Sequence, residues 1–490
     1  MTSNQVPQIA TVPDPRRWKA LIVIAIAQLM VVLDASIVNI ALPSIQLDLG
    51  ISDADRQWVV TAYTLAFGGL LLLGGRIADY AGRKRMFIVG LIGFAFASAL
   101  GGLSTSAWML YTARGLQGLF AAILAPAALS LISVTFTESK ERARAFAVYG
   151  ALAGGGAAIG LVMGGILTEF ASWHWTLLVN VPIALVALVL AVPFVRESRA
   201  TGETKYDIPG AITVTLGLVS LVYGITQAES NGWGGTSTLT FMGVGIVLLA
   251  LFMFIETRTS HPLLPVKILL NRNRGGAYLA SFFVGVGLFA MFLFLSFYFQ
   301  GVLGYSPLQS GLLFLPFSAG IIVSAGISSQ LLPRFGPRYI TGTGFILAVV
   351  GMSLLIRLTP GSSYVGDILP AMVILSLGMG LIFVPLSATA LFAVGNHDAG
   401  VASAVLNTSQ QIGGSIGVAF LNTVAASTTA AFVIDNQLPG PTPDALVAGF
   451  STGFIWGAAI LAFAGIVWIT LVNMTKKDMA ANDSPTAHVG

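Results

Sequence analysis

The sequence predicts an all-α integral membrane protein with 14 transmembrane helices, and three observations support this fold class. Of the 490 residues, 56% are hydrophobic and only 9% are charged, whereas a soluble globular chain is about 25% charged. The mean hydropathy is +0.86. Apolar runs of roughly 20 residues recur along the chain, and each is long enough to cross a bilayer as a helix.

The apolar runs give the elements in order. We place the 14 spans at residues 19–42, 56–75, 86–104, 108–131, 144–168, 176–194, 208–227, 239–257, 277–299, 309–331, 339–357, 366–387, 401–425 and 448–472. The polar segment before the first span is not expected to be a cleavable signal, because the apolar run that follows it is too long.

The distribution of positive charge predicts the orientation, because Lys and Arg are enriched in the cytoplasmic loops of membrane proteins. With a cytoplasmic N-terminus, all but three of the 24 Lys and Arg residues fall in cytoplasmic segments; the exceptions are Arg56, Arg114 and Arg357. We therefore expect a multi-pass protein of the plasma membrane with both termini cytoplasmic. This bias also accounts for the pI of 9.3, so nucleic acid is not expected as a partner.

Two charged residues lie well inside the predicted spans, Asp34 in the first and Arg114 in the fourth. Counted from the outer ends of their helices, they lie at similar depths of roughly 13 Å and 10 Å, and we expect them to pair. One interpretation is a structural salt bridge. The other is a proton site, since an ionisable group inside the membrane is a functional candidate by default. Movement of Arg114 or binding of a ligand would then cause Asp34 to bind or release a proton.

The loop after the second span contains "GGRIADYAGRKRM" at 74–86. The basic cluster alone is typical of any cytoplasmic loop, but the whole pattern resembles the cytoplasmic signature of the major facilitator superfamily. The matching residues are Gly75, Asp79, Gly82, Arg83 and Arg85. The resemblance implies a charge latch that holds the two halves together on the cytoplasmic side. A weaker copy, "PRFGPR" at 333–338, fits the repeated halves of such transporters.

Two more motifs resemble those of one branch of this superfamily. "LDASIVNIALP" at 33–43 is similar to the first-span signature of the fourteen-helix drug:proton antiporter branch, and "ARGLQG" at 113–118 to its fourth-span motif. The resemblance implies that Asp34 and Arg114 couple transport to protons, with a proton gradient in place of any cofactor. Three further stretches match in order: "NVPIALVAL" (180–188), "YSPLQSGLLFLP" (305–316) and "GVASAVLNTSQQIGGSIG" (400–417).

The fifth span departs from the family pattern. The family's antiporter motif ends in G-P-x-x-G-G, but Leu161 stands here in the place of the proline, between Gly160 and the pair Gly164 and Gly165. Gly156, Gly160 and Gly164 recur every fourth residue, so they share one helix face and allow close packing of a neighbouring helix. The missing proline removes an element that kinks helices, so this span lacks the bend that the family motif implies.

Candidate cavity residues follow from polar and aromatic side chains within spans. Gln117 belongs to the fourth-span motif, and Phe292 lies in the phenylalanine-rich ninth span. Asn407, Gln410 and Gln411 share one face of the thirteenth span, and such amides either line the interior or join helices. Apart from Asp367 at the start of the twelfth span, the spans of the C-terminal half contain no acidic residue, so neutral, amphipathic or monocationic substrates are favoured over dications.

The resemblance implies two six-helix bundles around a central cavity, with two additional helices between them. We expect an N-terminal bundle at 19–195, a linker with the two-helix insert at 196–275, a C-terminal bundle at 276–473, and cytoplasmic tails at 1–18 and 474–490. The cavity would be lined by spans 1, 4, 9 or 10, and 13. The role of the insert is left open between packing and assembly.

Other functional classes find no support in the sequence. The chain contains no Gly-Lys dipeptide, which a phosphate-binding loop would need. It has no cysteine, and its four histidines are scattered, so neither a metal site nor an enzyme is expected. We predict a secondary transporter that exports amphipathic or hydrophobic small molecules, such as drugs and antibiotics, in exchange for protons, and that functions as a monomer in the lipid bilayer. A dedicated exporter of one metabolite or antibiotic and a lipid transporter remain alternatives.

Overall fold

The computed structural model describes residues 15–53, 55–136, 138–199, 207–259, 262–264, 269–392, 399–475 and 478. In these residues all regular secondary structure is helical, and a helix occupies each of the 14 predicted spans. The helices are α1 (Arg17–Leu49), α2 (Trp58–Ala81), α3 (Arg83–Gly102), α4 (Ala107–Thr135), α5 (Ser139–Phe170), α6 (Trp175–Phe194), α7 (Ile208–Asn231), α8 (Thr236–Arg258), α9 (Arg272–Val302), α10 (Pro307–Phe335), α11 (Pro337–Leu355), α12 (Tyr364–Ala390), α13 (Ala399–Asp435) and α14 (Pro443–Leu471).

The helices have the length and composition of membrane spans. Among the described residues, 13 helices are long and apolar enough to cross a membrane. The remaining helix, α5, is 32 residues long, and its apolar part in the described residues is Gly156–Phe170. The predicted all-helical membrane fold is confirmed. Most of the two predicted tails, and the linker residues 200–206, 260–261 and 265–268, lie outside the described residues.

Local sequence signals end and start these helices. Gly50 ends α1 in the left-handed conformation at φ 60°, and its N–H donates to Gln46 O; glycine adopts this conformation without a steric penalty. Ser106 caps α4 by accepting a hydrogen bond from Met109 N. Gly82 and Gly336 both have positive φ, at 115° and 78°, and they join the second helix to the third in each half. The weak sequence repeat "PRFGPR" therefore marks a repeated turn.

The two halves repeat one pattern of helix pairing. In the N-terminal half α1 packs on α5, α2 on α4, and α3 on α4 and α6. In the C-terminal half the equivalent pairs are α9 with α13, α10 with α12, and α11 with α12 and α14. The hairpin of α7 and α8 lies between the halves in sequence. Two six-helix bundles with a two-helix insert are thus built from one repeated arrangement.

The bundles meet on one side of the molecule. We call the side where α1 begins and α14 ends the terminal side. Among the described residues, one apolar core includes the C-terminal bundle and the other side of the N-terminal bundle, with Leu42, Leu161 and Trp173. The terminal-side part of the N-terminal bundle has a separate core around Phe87 and Leu131. The bundles therefore share a core on the side opposite the termini and not on the terminal side.

The insert packs across the line where the bundles meet. α7 contacts both α2 and α13, and a small apolar cluster contains Leu65, Val222 and Ala419 from these three helices. The Oγ1 atom of Thr423 in α13 donates to Ile225 O at 3.4 Å. The insert thus binds to one helix of each bundle.

Candidate functional site

Asp34 lies in the middle of α1 and is fully buried. Its carboxylate accepts three hydrogen bonds: from Arg114 Nη1 at 2.6 Å, from Gln117 Nε2 at 2.9 Å and from Asn180 Nδ2 at 2.7 Å. Charge-assisted bonds of this length are among the strongest in proteins. The predicted pairing of Asp34 with Arg114 is confirmed.

Arg114 is held by several groups at once. Its exposed fraction is 1%, and besides Asp34 it donates from Nε to Val59 O at 2.8 Å and from Nη1 to Gln117 Oε1 at 2.9 Å. The guanidinium also lies over the ring of Tyr63, 4.5 Å from its centroid, a cation–π distance. One side chain of α4 therefore joins α1 and α2.

Sequence reasoning did not assign Asn180, Ser98 or Tyr63 to this site. Asn180 begins the quoted stretch "NVPIALVAL", so a signal for it was present. Ser98 accepts a hydrogen bond from Gln117 Nε2 at 2.7 Å. Asn180 Oδ1 and the Tyr63 hydroxyl are buried without a hydrogen-bond partner. The cluster therefore contains polar atoms with unused capacity for a proton, a water or a moved side chain.

The predicted glycine face of α5 packs against α1 beside Asp34. A Cβ at Gly156 would lie 3.1 Å from Val32 Cγ1, one at Gly160 would meet Ser36 Oγ and lie 2.9 Å from Leu33 O, and one at Gly164 would lie 2.7 Å from Ile37 O. Gly165 instead faces the C-terminal bundle, where a Cβ would lie 2.6 Å from Leu308 Cα. α5 continues as a helix through Leu161.

The predicted latch residues lie together at the terminal-side ends of α2 and α3. Arg83 and Asp79 form an ion pair at 2.8 Å. The carboxylate of Glu197, which sequence reasoning did not single out, accepts from the N–H groups of Lys84 and Arg85 at 3.1 Å and so caps the start of α3. All these contacts are within the N-terminal half, so they do not bridge the bundles in this conformation. Gly75 faces α4, where a Cβ would lie 3.4 Å from Pro126 Cβ.

The predicted cavity residues occupy different surroundings. Gln117 is buried in the Asp34 cluster. Phe292 packs on Phe314 and Phe317, with ring centroids 5.3 Å away in each case. Asn407 is exposed and donates to Ser403 O of its own helix. Gln410 contacts α9 at Gly285, and Gln411 contacts α2 at Gly68. Their role in a substrate cavity stays a prediction.

The hydrogen bonds that join described residues of the two bundles all lie away from the terminal side. Arg56 donates to Asn422 Oδ1 at 3.0 Å, and the hydroxyls of Thr64 and Ser415 are 2.5 Å apart. In the remaining bonds Asn422 donates to Asp53 O, Gln300 donates to Ile40 O, and Glu169 accepts from Ser306 Oγ and Leu308 N. Together with the shared core, they close the molecule on that side.

Two repeated helical bundles, closed against each other on one side, with an ion pair buried in one of them, define a secondary transporter of the repeated-bundle class. The chain belongs to the Major Facilitator Superfamily, whose profile matches residues 24–418. The predicted superfamily is thereby confirmed, and its members are transporters rather than enzymes.

The curated relatives include antibiotic resistance and export proteins. The chain is 47% identical over 482 residues to puromycin resistance protein pur8 of Streptomyces alboniger, covering 97% of this chain and 95% of that protein. It is 39% identical to the cephamycin export protein CmcT of Amycolatopsis lactamdurans, over 84% of this chain and 85% of the relative. It is 33% identical to the tetracenomycin C resistance and export protein of Streptomyces glaucescens, over 84% and 76%.

Solved structures support the fold. A bacterial homolog of the human lysosomal transporter Spinster, in an inward-facing and unoccupied conformation, is similar with a TM-score of 0.67 and 17% identity. The match covers 97% of this chain and 100% of that chain. At this identity the similarity shows the fold alone.

Proposed function

We propose that this protein exports amphipathic or hydrophobic small molecules, antibiotics among them, in exchange for protons. The proposal of proton exchange rests on the fully buried Asp34–Arg114 pair, whose N–O distance is 2.6 Å. Intramembrane ionisable groups of this kind are typical of proton pathways. The substrate class rests on the relatives named for puromycin, cephamycin and tetracenomycin.

The contacts of Arg114 suggest how a proton would drive the cycle. With Asp34 ionised, Arg114 is neutralised and stays bonded to Val59 O of α2. α2 also forms the interface with α13 through Thr64 and Ser415. A proton on Asp34 would leave the guanidinium without a counter-charge, which favours its movement and loosens the contacts of α1, α2 and α4. The interface between the bundles would then respond to the protonation of Asp34.

The orientation follows from the charge bias. We place the terminal side in the cytoplasm, since Arg and Lys cluster there in the loops. The closed side would then face outward, as expected of a state that gives access from the cytoplasm. A reporter fused after Lys477 is expected to read cytoplasmic, and a readout from the outer side would overturn this orientation.

The test is transport by the purified protein in liposomes under an imposed pH gradient. The wild type should move puromycin and other amphipathic probes against their gradient, and Asp34→Asn should fail to do so. Removing one partner of a buried pair costs about 3–5 kcal/mol, so the double variant Asp34→Asn with Arg114→Gln serves as a charge-balanced form. Gradient-driven transport by the double variant would contradict the proposal.

Two controls complete the test. Asp444→Asn changes an exposed acid in the first turn of α14 and should transport as the wild type does. A panel that adds β-lactams, polyketides and fluorescent phospholipids should then separate broad export from the alternatives. Transport of one compound alone would indicate a dedicated exporter, and phospholipid movement alone would indicate a lipid transporter.

A further inference from the structure

Two buried carboxyl groups lie at the terminal-side end of the insert, far along the chain from Asp34. Asp207 immediately precedes α7, and Glu256 lies in the last turn of α8. Their exposed fractions are 5% and 3%. α7 and α8 pack against each other as a hairpin, so the two carboxyl groups lie at the same end of it, and the two side chains interact. The mechanism proposed above uses neither of them.

One oxygen of each carboxyl group is satisfied by the backbone. Asp207 Oδ1 accepts from Gly210 N at 2.9 Å, which caps α7, and Glu256 Oε2 accepts from Leu264 N at 2.9 Å. The other two oxygens, Asp207 Oδ2 and Glu256 Oε1, are buried without any hydrogen-bond partner. Buried polar atoms in native proteins almost always have a hydrogen-bond partner, so a hydrogen-bond donor is expected at these two oxygens.

No cation among the described residues pairs with the two carboxyl groups. Arg76 of α2 donates instead to Pro262 O at 2.9 Å, and Arg258 lies over the ring of Phe254. The charged side chain that acts on Glu256 is that of Asp207. Lys205 and Lys267 lie outside the described residues.

Two ionised carboxylates in contact at a buried position repel each other, and a single shared proton removes both the repulsion and the missing donor. We propose that Asp207 and Glu256 form a second proton-binding site, which holds one proton between Asp207 Oδ2 and Glu256 Oε1. It is separate from the Asp34 cluster and does not depend on the proposed export function. Two carboxyl groups that share a proton lose it as one unit.

The position of this site links it to α2. Glu256 accepts a hydrogen bond from Leu264 N. Two residues before Leu264, the carbonyl oxygen of Pro262 accepts a hydrogen bond from Arg76. Arg76 directly follows Gly75 of the latch. Loss of the proton would push Glu256 away from Asp207 and disturb the short segment 262–264, which joins the insert to the latch end of α2.

Infrared difference spectroscopy between acidic and alkaline pH tests the site directly. The parent is Asp34→Asn with Arg114→Gln, so that the Asp34 cluster contributes no signal. A protonated-carboxyl C=O band should be present at about pH 6, where ordinary Asp and Glu are ionised, and should vanish in alkali. The band should be lost in Asp207→Asn and in Glu256→Gln and kept in Glu138→Gln, an exposed acid on the same side. A band that is unchanged in both Asp207→Asn and Glu256→Gln, or the absence of a band in the parent protein, would overturn the proposal.

A stability profile gives a second readout that needs neither transport nor the Asp34 variants. Asn is a good helix N-cap, and its amide can donate to Glu256 in place of the proton, so Asp207→Asn should fold. If the folded wild type holds a proton that the unfolded chain releases, stability falls as pH rises, by up to about tenfold in the unfolding constant per pH unit. This slope should disappear in Asp207→Asn and remain in Glu138→Gln. Equal slopes in all three proteins would contradict a shared proton.

Discussion

The guanidinium of Arg114 contacts a carboxylate, an amide oxygen and a backbone carbonyl at once, and this combination depends on its shape. Lysine presents a single ammonium point charge and is unable to reproduce the planar fork. The predicted depths of Asp34 and Arg114 were sufficient to expect their pairing from sequence. The contacts with Val59 O and Tyr63 were not foreseeable, because they depend on how α2 lies beside α4.

Arg114→Lys is expected to lower the rate of pH-gradient-driven transport by roughly tenfold or more, because the ammonium keeps the charge and loses the contacts that connect Asp34 to α2. The initial rate in proteoliposomes measures this effect. Arg334→Lys, at an exposed position on α10, provides the matched control. Equal rates for wild type and Arg114→Lys would show that charge alone suffices at this position.

At the scale of the helices, the contact between α1 and α5 is set by glycine. The sequence predicted that Gly156, Gly160 and Gly164 share a face, and the structure shows that α1 covers this face beside Asp34. Sequence periodicity gives the face of a helix. It does not give the partner, because any helix with a matching surface could pack there.

Gly160→Ala should destabilise the protein by about 1–3 kcal/mol, because the added Cβ meets Ser36 Oγ and Leu33 O and well-packed helices tolerate overpacking poorly. The second substitution Ser36→Ala should restore part of the loss. Thermal unfolding in detergent measures both. Gly326→Ala, where no atom lies within 4 Å of the added Cβ, should change stability by less than about 1 kcal/mol. A similar melting temperature for Gly160→Ala and wild type would refute the close contact.

Among the described residues, the Asp79–Arg83 pair joins the ends of α2 and α3, and no hydrogen bond or ion pair connects the latch to the C-terminal bundle. We expect Asp79→Asn to lower the maximal transport rate several-fold while the substrate concentration at half-maximal rate stays nearly unchanged, because the Asp79–Arg83 pair lies at the ends of α2 and α3 rather than beside Asp34. Steady-state transport assays give both quantities. A large rise in the half-maximal concentration with an unchanged maximal rate would assign the pair to substrate binding instead.

At the scale of the whole molecule, the two bundles meet on the side opposite the termini. The hydroxyls of Thr64 and Ser415 are 2.5 Å apart across this contact. The chain contains no cysteine, so no native cysteine competes with an introduced cysteine pair. Thr64→Cys with Ser415→Cys should form a disulfide under mild oxidation and stop transport until it is reduced, because alternating access requires this side to open. Non-reducing electrophoresis and transport assays measure the two effects.

The single variants Thr64→Cys and Ser415→Cys should transport with or without oxidant. Full transport by the oxidised double variant, with the cross-link verified, would show that the bundles do not separate at this point.

Composition, run length and charge bias determined the fold class and the 14 spans, because helix length in a bilayer is fixed by the thickness that must be crossed. The motifs determined the superfamily and indicated the repeated halves, and they are the basis for the proposal that Asp34 and Arg114 couple transport to protons. Only the tertiary structure decided which side is closed, what surrounds Arg114, the capping role of Glu197 and the meeting of Asp207 with Glu256. These features join residues that are distant in sequence, and such contacts depend on how helices pack rather than on any local pattern. The insert shows the same limit: its hydropathy predicted two helices, and only packing showed that α7 binds both bundles.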